Sequence, residues 1–144
     1  MRRLFIIRKD LNMSAGKLAA QVSHCAEAYW TRLIRAHIVG EVLGEDVYRT
    51  ECIDLPKDVY EEYVAGRFVK TICEARNKNH LLKAKAAADE LGLIENQDYG
   101  LIYDACFTEL TPEEPDGTTL TGIWFAPLPD ETAHKISKKY QLYK

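Results

Sequence analysis

Four consecutive apolar residues, Leu4-Phe5-Ile6-Ile7, are closed off abruptly by Arg8-Lys9-Asp10, and a long amphipathic stretch follows. So short a run, with no helical period, suits a buried strand better than a helix. Beyond Asn12-Met13-Ser14, apolar side chains at Leu18, Val22, Cys25, Ala26, Tyr29 and Leu33 keep the spacing of one helix face, and Ser14 is placed to cap it. A strand feeding a helix at the start of the chain points to an α/β fold.

The rest of the sequence continues the alternation. Arg67 to Cys73 is rich in β-branched and aromatic residues and reads as a second strand. Asn77 or Asn79 then caps a helix with Leu81, Ala84, Ala88 and Leu91 on one side, stopped by Gly92. Tyr99 to Asp104 is a third strand, Thr111 to Gly117 (TPEEPDG) a turn, and Thr119 to Phe125 a fourth strand. After Pro127 and Pro129 a last helix is predicted with Ala133, Ile136, Tyr140 and Tyr143 aligned. Residues 36–66 read as an acidic insertion, with a helix starting at Pro56-Lys57-Asp58 and running to Ala65. The predicted fold class is therefore α/β: one domain, three layers (α/β/α), with a small mixed four-stranded sheet and helices on both faces. A chain of 144 residues, 47% hydrophobic, has enough to bury one such core.

No apolar run approaches the length of about 18 residues that a membrane span needs. The predicted location is cytoplasmic, without membrane association. Cys25, Cys52, Cys73 and Cys106 contain no CxxC pair and are expected as reduced thiols. The formal net charge of −3 argues against a protein that coats nucleic acid nonspecifically. The charge is blocked, however: residues 1–35 hold seven Lys/Arg against two Asp/Glu, whereas 93–117 hold none against seven. Folding could gather the basic blocks on one face, or the pattern is ordinary solvated surface.

Two places could carry chemistry. On the first helix Lys17, Gln21 and His24 fall in one polar stripe, about 110° from the centre of the apolar face. Lys17 also lies in the first turn, where backbone N–H groups and an ammonium together suit an anion. Taken alone, such a ridge is also the pattern of a solvated helix side. The second place is Asp104, at the end of a strand, with Thr108 four residues on. If the strand at 4–8 and the strand at 99–104 run the same way, Lys17, Gln21, Asp104 and Thr108 converge at one edge of the sheet. Metal ligation is not expected, because His24 and Glu27 lack a second ligand pair, and no phosphate-binding glycine loop or serine elbow is present.

Four segments carry a resemblance. Gly16-Lys17-Leu18-Ala19-Ala20-Gln21-Val22-Ser23-His24 resembles the G-K-x-A-A-Q-x-S-H helix motif of the type II peptidyl-tRNA hydrolases. Arg8-Lys9-Asp10-Leu11-Asn12-Met13 is similar to that family's R-x-D-L-x-M, Asp104-Ala105-Cys106-Phe107-Thr108-Glu109 to its D-A-G-R-T-Q, and Gly122-Ile123-Trp124-Phe125-Ala126-Pro127 to its G-I-G-P-A-P. The resemblance implies metal- and cofactor-free hydrolysis of the ester between a peptide, or an N-blocked amino acid, and the 3′ end of tRNA. By position it implicates Lys17, Gln21, Ser23, His24, Asp104 and Thr108. Lys17 would supply positive charge, Asp104 would orient Thr108 or a water, Gln21 and Ser23 would place donors around the carbonyl, and His24 would brace the helix. The basic blocks at 1–35 and 67–92, the second including Arg67, Lys70, Arg76 and Lys78, would steer the tRNA backbone by charge. A homodimer is implied too, with Trp124-Phe125 as a candidate contact. Three departures stand out: Phe107 replaces a basic residue, Cys106 a glycine, and Trp124-Phe125 a Gly-Pro pair. They keep open a non-catalytic tRNA- or protein-binding adaptor, and a small-molecule ester hydrolase.

Overall fold

The computed structural model describes residues 1–144. Strand β1 (Arg3–Arg8) is buried at every position. Its apolar run is continuous because both faces of the sheet are covered. Phe5 and Ile7 point to helix α1 (Ala15–Ala36), packing with Cys25, Tyr29 and Leu33, while Leu4 and Ile6 join the core on the other face. Each fully buried side chain of this kind contributes about 1.5–3 kcal/mol of transfer free energy. Ser14 caps α1 by accepting the Lys17 backbone N–H at 3.2 Å.

The remaining elements are β2 (Ile38–Glu41), β3 (Tyr48–Thr50), a π-type helix (Val59–Arg67), β4 (Lys70–Ala75), α2 (Lys78–Glu90), β5 (Tyr99–Asp104), β6 (Thr119–Phe125), α3 (Asp130–Ser137) and β7 (Gln141–Leu142). The main sheet has the order β5-β6-β1-β4-β7, and β2 and β3 form a separate hairpin. β1 is parallel to β4 and antiparallel to β6, and β6 is antiparallel to β5. β1 and β5 therefore run in the same direction. α1 covers one face, and α2 and α3 cover the other through Leu81, Ala84, Ala88, Ala133 and Ile136. The α/β class and the three layers are as expected. No helix is long and apolar enough to cross a membrane.

Several details differ from expectation. The sheet has five strands instead of four, because the chain turns after Ser137 where a continuing helix was predicted. Tyr140 leaves the helix to stack on His80, with ring centroids 4.5 Å apart, and β7 pairs with Cys73 and Glu74. The second strand begins at Lys70 instead of Arg67, since Arg67 ends the π-type helix and Phe68 adopts φ 39°. Trp124 and Phe125 are interior, 4% and 0% exposed, and cannot form a dimer contact. Trp124 packs on Gly100, where an added Cβ would lie 2.6 Å from the indole, and Phe125 sits against Tyr99. Residues 36–66 hold the β2-β3 hairpin and most of the π-type helix. No disulfide forms: Cys25 and Cys73 are buried, Cys106 is half-buried and Cys52 is exposed.

Candidate active site

The common direction of β1 and β5 brings the N-terminus of α1 and the end of β5 to one rim of the sheet. There Asp104, only 9% exposed, accepts three hydrogen bonds. Oδ1 takes the Lys17 ammonium at 2.9 Å and the Cys106 backbone N–H at 2.8 Å, and Oδ2 takes Gln21 Nε2 at 2.8 Å. Lys17 Nζ also donates to Thr108 Oγ1 at 3.2 Å. Those two bonds engage two of the ammonium's three N–H groups.

Gln21 is fully buried, although its place in the polar stripe suggested a contact with substrate. Its Oε1 accepts from Thr121 Oγ1 at 2.6 Å, which orients the amide so that the NH₂ end meets Asp104. Gln21 is thus held between Thr121 and Asp104, behind the carboxylate. Thr121 was not anticipated. The register passes from Ile102 opposite Gly122 to Tyr103 opposite Leu120, so Thr121 is an extra residue in β6. Strict alternation would place it with Ile123 and Phe125 on the α2 face, but the bulge turns it toward Gln21.

Burial pushes the Asp104 carboxyl up, but the bonds from Lys17, the Cys106 N–H and Gln21 outweigh it and hold the group below its ordinary value. Asp104 is a fixed anion at neutral pH and a weak base. The loop after it closes over α1: Glu109 accepts Ser14 N–H at 3.1 Å and Ser14 Oγ at 2.5 Å. This carboxylate takes the place at the helix N-terminus that was expected to suit a phosphate or an oxyanion. Its own ionisation is favoured by the Ser14 bonds. Cys106 and Glu109 have φ of 58° and 61°, and Phe107 between them is 93% exposed.

Ser23 and His24 stand apart from this group. Ser23 Oγ donates to Ala19 O of its own helix at 2.9 Å. His24 is exposed and makes no side-chain hydrogen bond that would brace α1; it lines an open cleft of about 910 Å³ between α1 and β5. Tyr103 and Trp124 line the same cleft.

The basic blocks are also rearranged. Arg3 is wholly buried, donating to Phe125 O, Ala26 O and Cys25 O, and Arg8 is 3% exposed. Neither is free to meet tRNA. β4 separates the second block: Arg67 and Lys70 lie at its start, while Arg76 and Lys78 lie at its end, on the rim that carries Asp104. Lys78 is paired with Glu114.

This arrangement has known relatives. A family model described as "Peptidyl-tRNA hydrolase PTH2" matches residues 1–143. Proteins named peptidyl-tRNA hydrolase from Thermoplasma acidophilum and Thermococcus sibiricus are 25% and 29% identical, over 98% of this chain and 97% and 96% of theirs. One of the same name from Pyrobaculum aerophilum is 29% identical over 96% of this chain and 93% of its own.

Proposed function

This chain belongs to the PTH2 family of peptidyl-tRNA hydrolases and so cleaves the ester joining a peptide to the 3′ end of tRNA; we propose that Lys17, held by Asp104, supplies the charge that this cleavage needs. Water adds to the ester carbonyl, the bond to the ribose 3′-oxygen breaks, and that oxygen leaves with a proton as free tRNA. Negative charge builds on the carbonyl oxygen during attack, and an ammonium fixed in place stabilises it without reorganisation. Asp104 holds Lys17 in place and aims it. Thr108, which accepts from Lys17, orients the attacking water.

The observation that carries this reading is the ammonium 2.9 Å from Asp104 and 3.2 Å from Thr108, with one N–H uncommitted. A hydrolase that recycles tRNA works beside the ribosome, in the cytoplasm. On the site rim Arg76 is the member of the second basic block that is exposed and in no ion pair, so it suits a backbone phosphate. A homodimer would have to use a surface other than Trp124-Phe125. A non-catalytic adaptor is not favoured for a member of a hydrolase family.

The test is release of free tRNA from an N-acetylaminoacyl-tRNA. Lys17→Ala and Asp104→Asn are each expected to lower turnover by about a hundredfold or more while leaving a folded protein. Near-normal rates in both would remove the assignment.

A further inference from the structure

The cleft between α1 and β5 begins at His24 and Tyr103, one helical turn from Gln21 and one residue from Asp104, and runs toward Arg35. One of its walls is an open sheet edge. β5 is the outermost strand and pairs only with β6 along its length. At its start the edge is closed, because the Asn96 N–H donates to Tyr99 O at 2.7 Å. From Gly100 to Tyr103 no other backbone group of the protein bonds the outer side. An edge of this kind is a template for another extended chain.

We infer that this cleft receives the peptide part of the substrate, which adds to β5 as a parallel strand. The inference rests on the hydrolase reading above. The direction follows from the chemistry: the ester carbonyl must lie at Lys17 and Asp104, so the residues before it extend back along β5 toward Tyr99. The open stretch from Gly100 to Tyr103, with alternate residues facing outward, spans about 13 Å, which holds three or four residues. Ile102 and Ala28 provide apolar surface for side chains of any sequence, and main-chain bonds give affinity without selecting them.

Charge does not mark this cleft as a phosphate channel. The cleft contains Glu27 as well as Arg32 and Arg35, and Arg32 is drawn over the Tyr29 ring, 5.4 Å from its centroid, with Nε buried. On the opposite face Lys83 and Lys139 flank the α2–α3 groove together with Glu90, and Arg76 and Lys83 lie close enough to His80 to depress its pKa further after burial has lowered it.

The experiment uses the whole protein and tRNA esterified with N-acetylated alanine chains of one to six residues. The expected result is a rise of roughly tenfold in kcat/KM up to three or four residues, the scale of one or two net hydrogen bonds, and a plateau beyond. Replacing one backbone amide of the tetrapeptide by an ester should lose part of that gain at alternate positions only. Thr31→Trp, which fills the cleft from α1, should bring the tetrapeptide down to the single-residue rate and leave N-acetylalanyl-tRNA and inhibition by uncharged tRNA unchanged. Cleavage with no dependence on peptide length overturns the inference and leaves the hydrolase reading intact. Weakened inhibition by uncharged tRNA in Thr31→Trp overturns it in favour of the tRNA 3′ strand. Absence of cleavage with every substrate removes the hydrolase reading, and this inference with it.

Discussion

Two charged clusters sit on the same rim of the sheet and have opposite characters. Arg8 donates through Nε and both terminal nitrogens to Asp10, Glu113 and the carbonyl of Leu120, which engages all five of its N–H groups. Lys17 has a similar carboxylate partner but keeps an N–H uncommitted. The saturated cation can only hold the fold together. The unsaturated one has something left for a substrate, and its partner Asp104 is itself held from behind by Gln21 and Thr121. Both clusters carry charge into low-exposure surroundings; the number of free donors separates structure from chemistry.

The sharpest way to break this contrast is to remove each cation. Lys17→Ala is expected to lose activity by about a hundredfold or more in the protein that remains folded, whereas Arg8→Ala should retain turnover in its folded fraction; each should cost up to about 3 kcal/mol in stability. Equal losses of activity in the two variants would erase the distinction. Thr121→Val, which keeps the shape but removes the hydroxyl, should lower kcat by about tenfold with little change in KM, because it disturbs the aim of Asp104 and not substrate contact.

Acid titration sharpens the comparison further. Arg8 holds the Glu113 carboxyl low, as Lys17, Cys106 and Gln21 hold Asp104 low against its burial. A depressed carboxyl stabilises the fold fully above its ordinary value, near 4, and the contribution fades as pH falls through the lower folded value. Both Glu113→Gln and Asp104→Asn should therefore flatten the acid limb of the stability curve. Glu113→Gln should leave the pH profile of kcat unchanged. The smallest effect is expected at Cys106, which holds φ 58° where glycine is at ease. Cys106→Gly should raise stability by about 0.5–1 kcal/mol, read as a higher denaturant midpoint, and move activity little.

The parts legible in the sequence were those fixed by local pattern. Ser14, Asn77 and Gly92 marked helix ends through capping and a left-handed turn, and the strands at 99–104 and 119–125 were bounded by charge and turn residues. What escaped depends on distant contacts. Tyr140 and Tyr143 keep helical spacing after Ile136, yet the aromatic stack on His80 and the pairing with β4 draw the chain away. Gln21 looked like surface because helix position alone does not show that β6 and Asp104 cover it. Arg3 and Arg8 were counted as steering charge because composition does not distinguish a solvated guanidinium from one capped by carbonyls or carboxylates. Lys17, Asp104 and Thr108 were recoverable because a parallel relation between two strands sufficed to bring them together.

The extra residue at Thr121 makes the length of β6 part of the chemistry. A regular ladder opposite β5 would need one residue fewer between Leu120 and Gly122. Deleting Thr121 would tidy the sheet and strand Gln21 without its anchor, and inserting a neighbour would swing the hydroxyl to the wrong side. At this point of the chain a change in residue count is expected to harm turnover more than most changes in residue type.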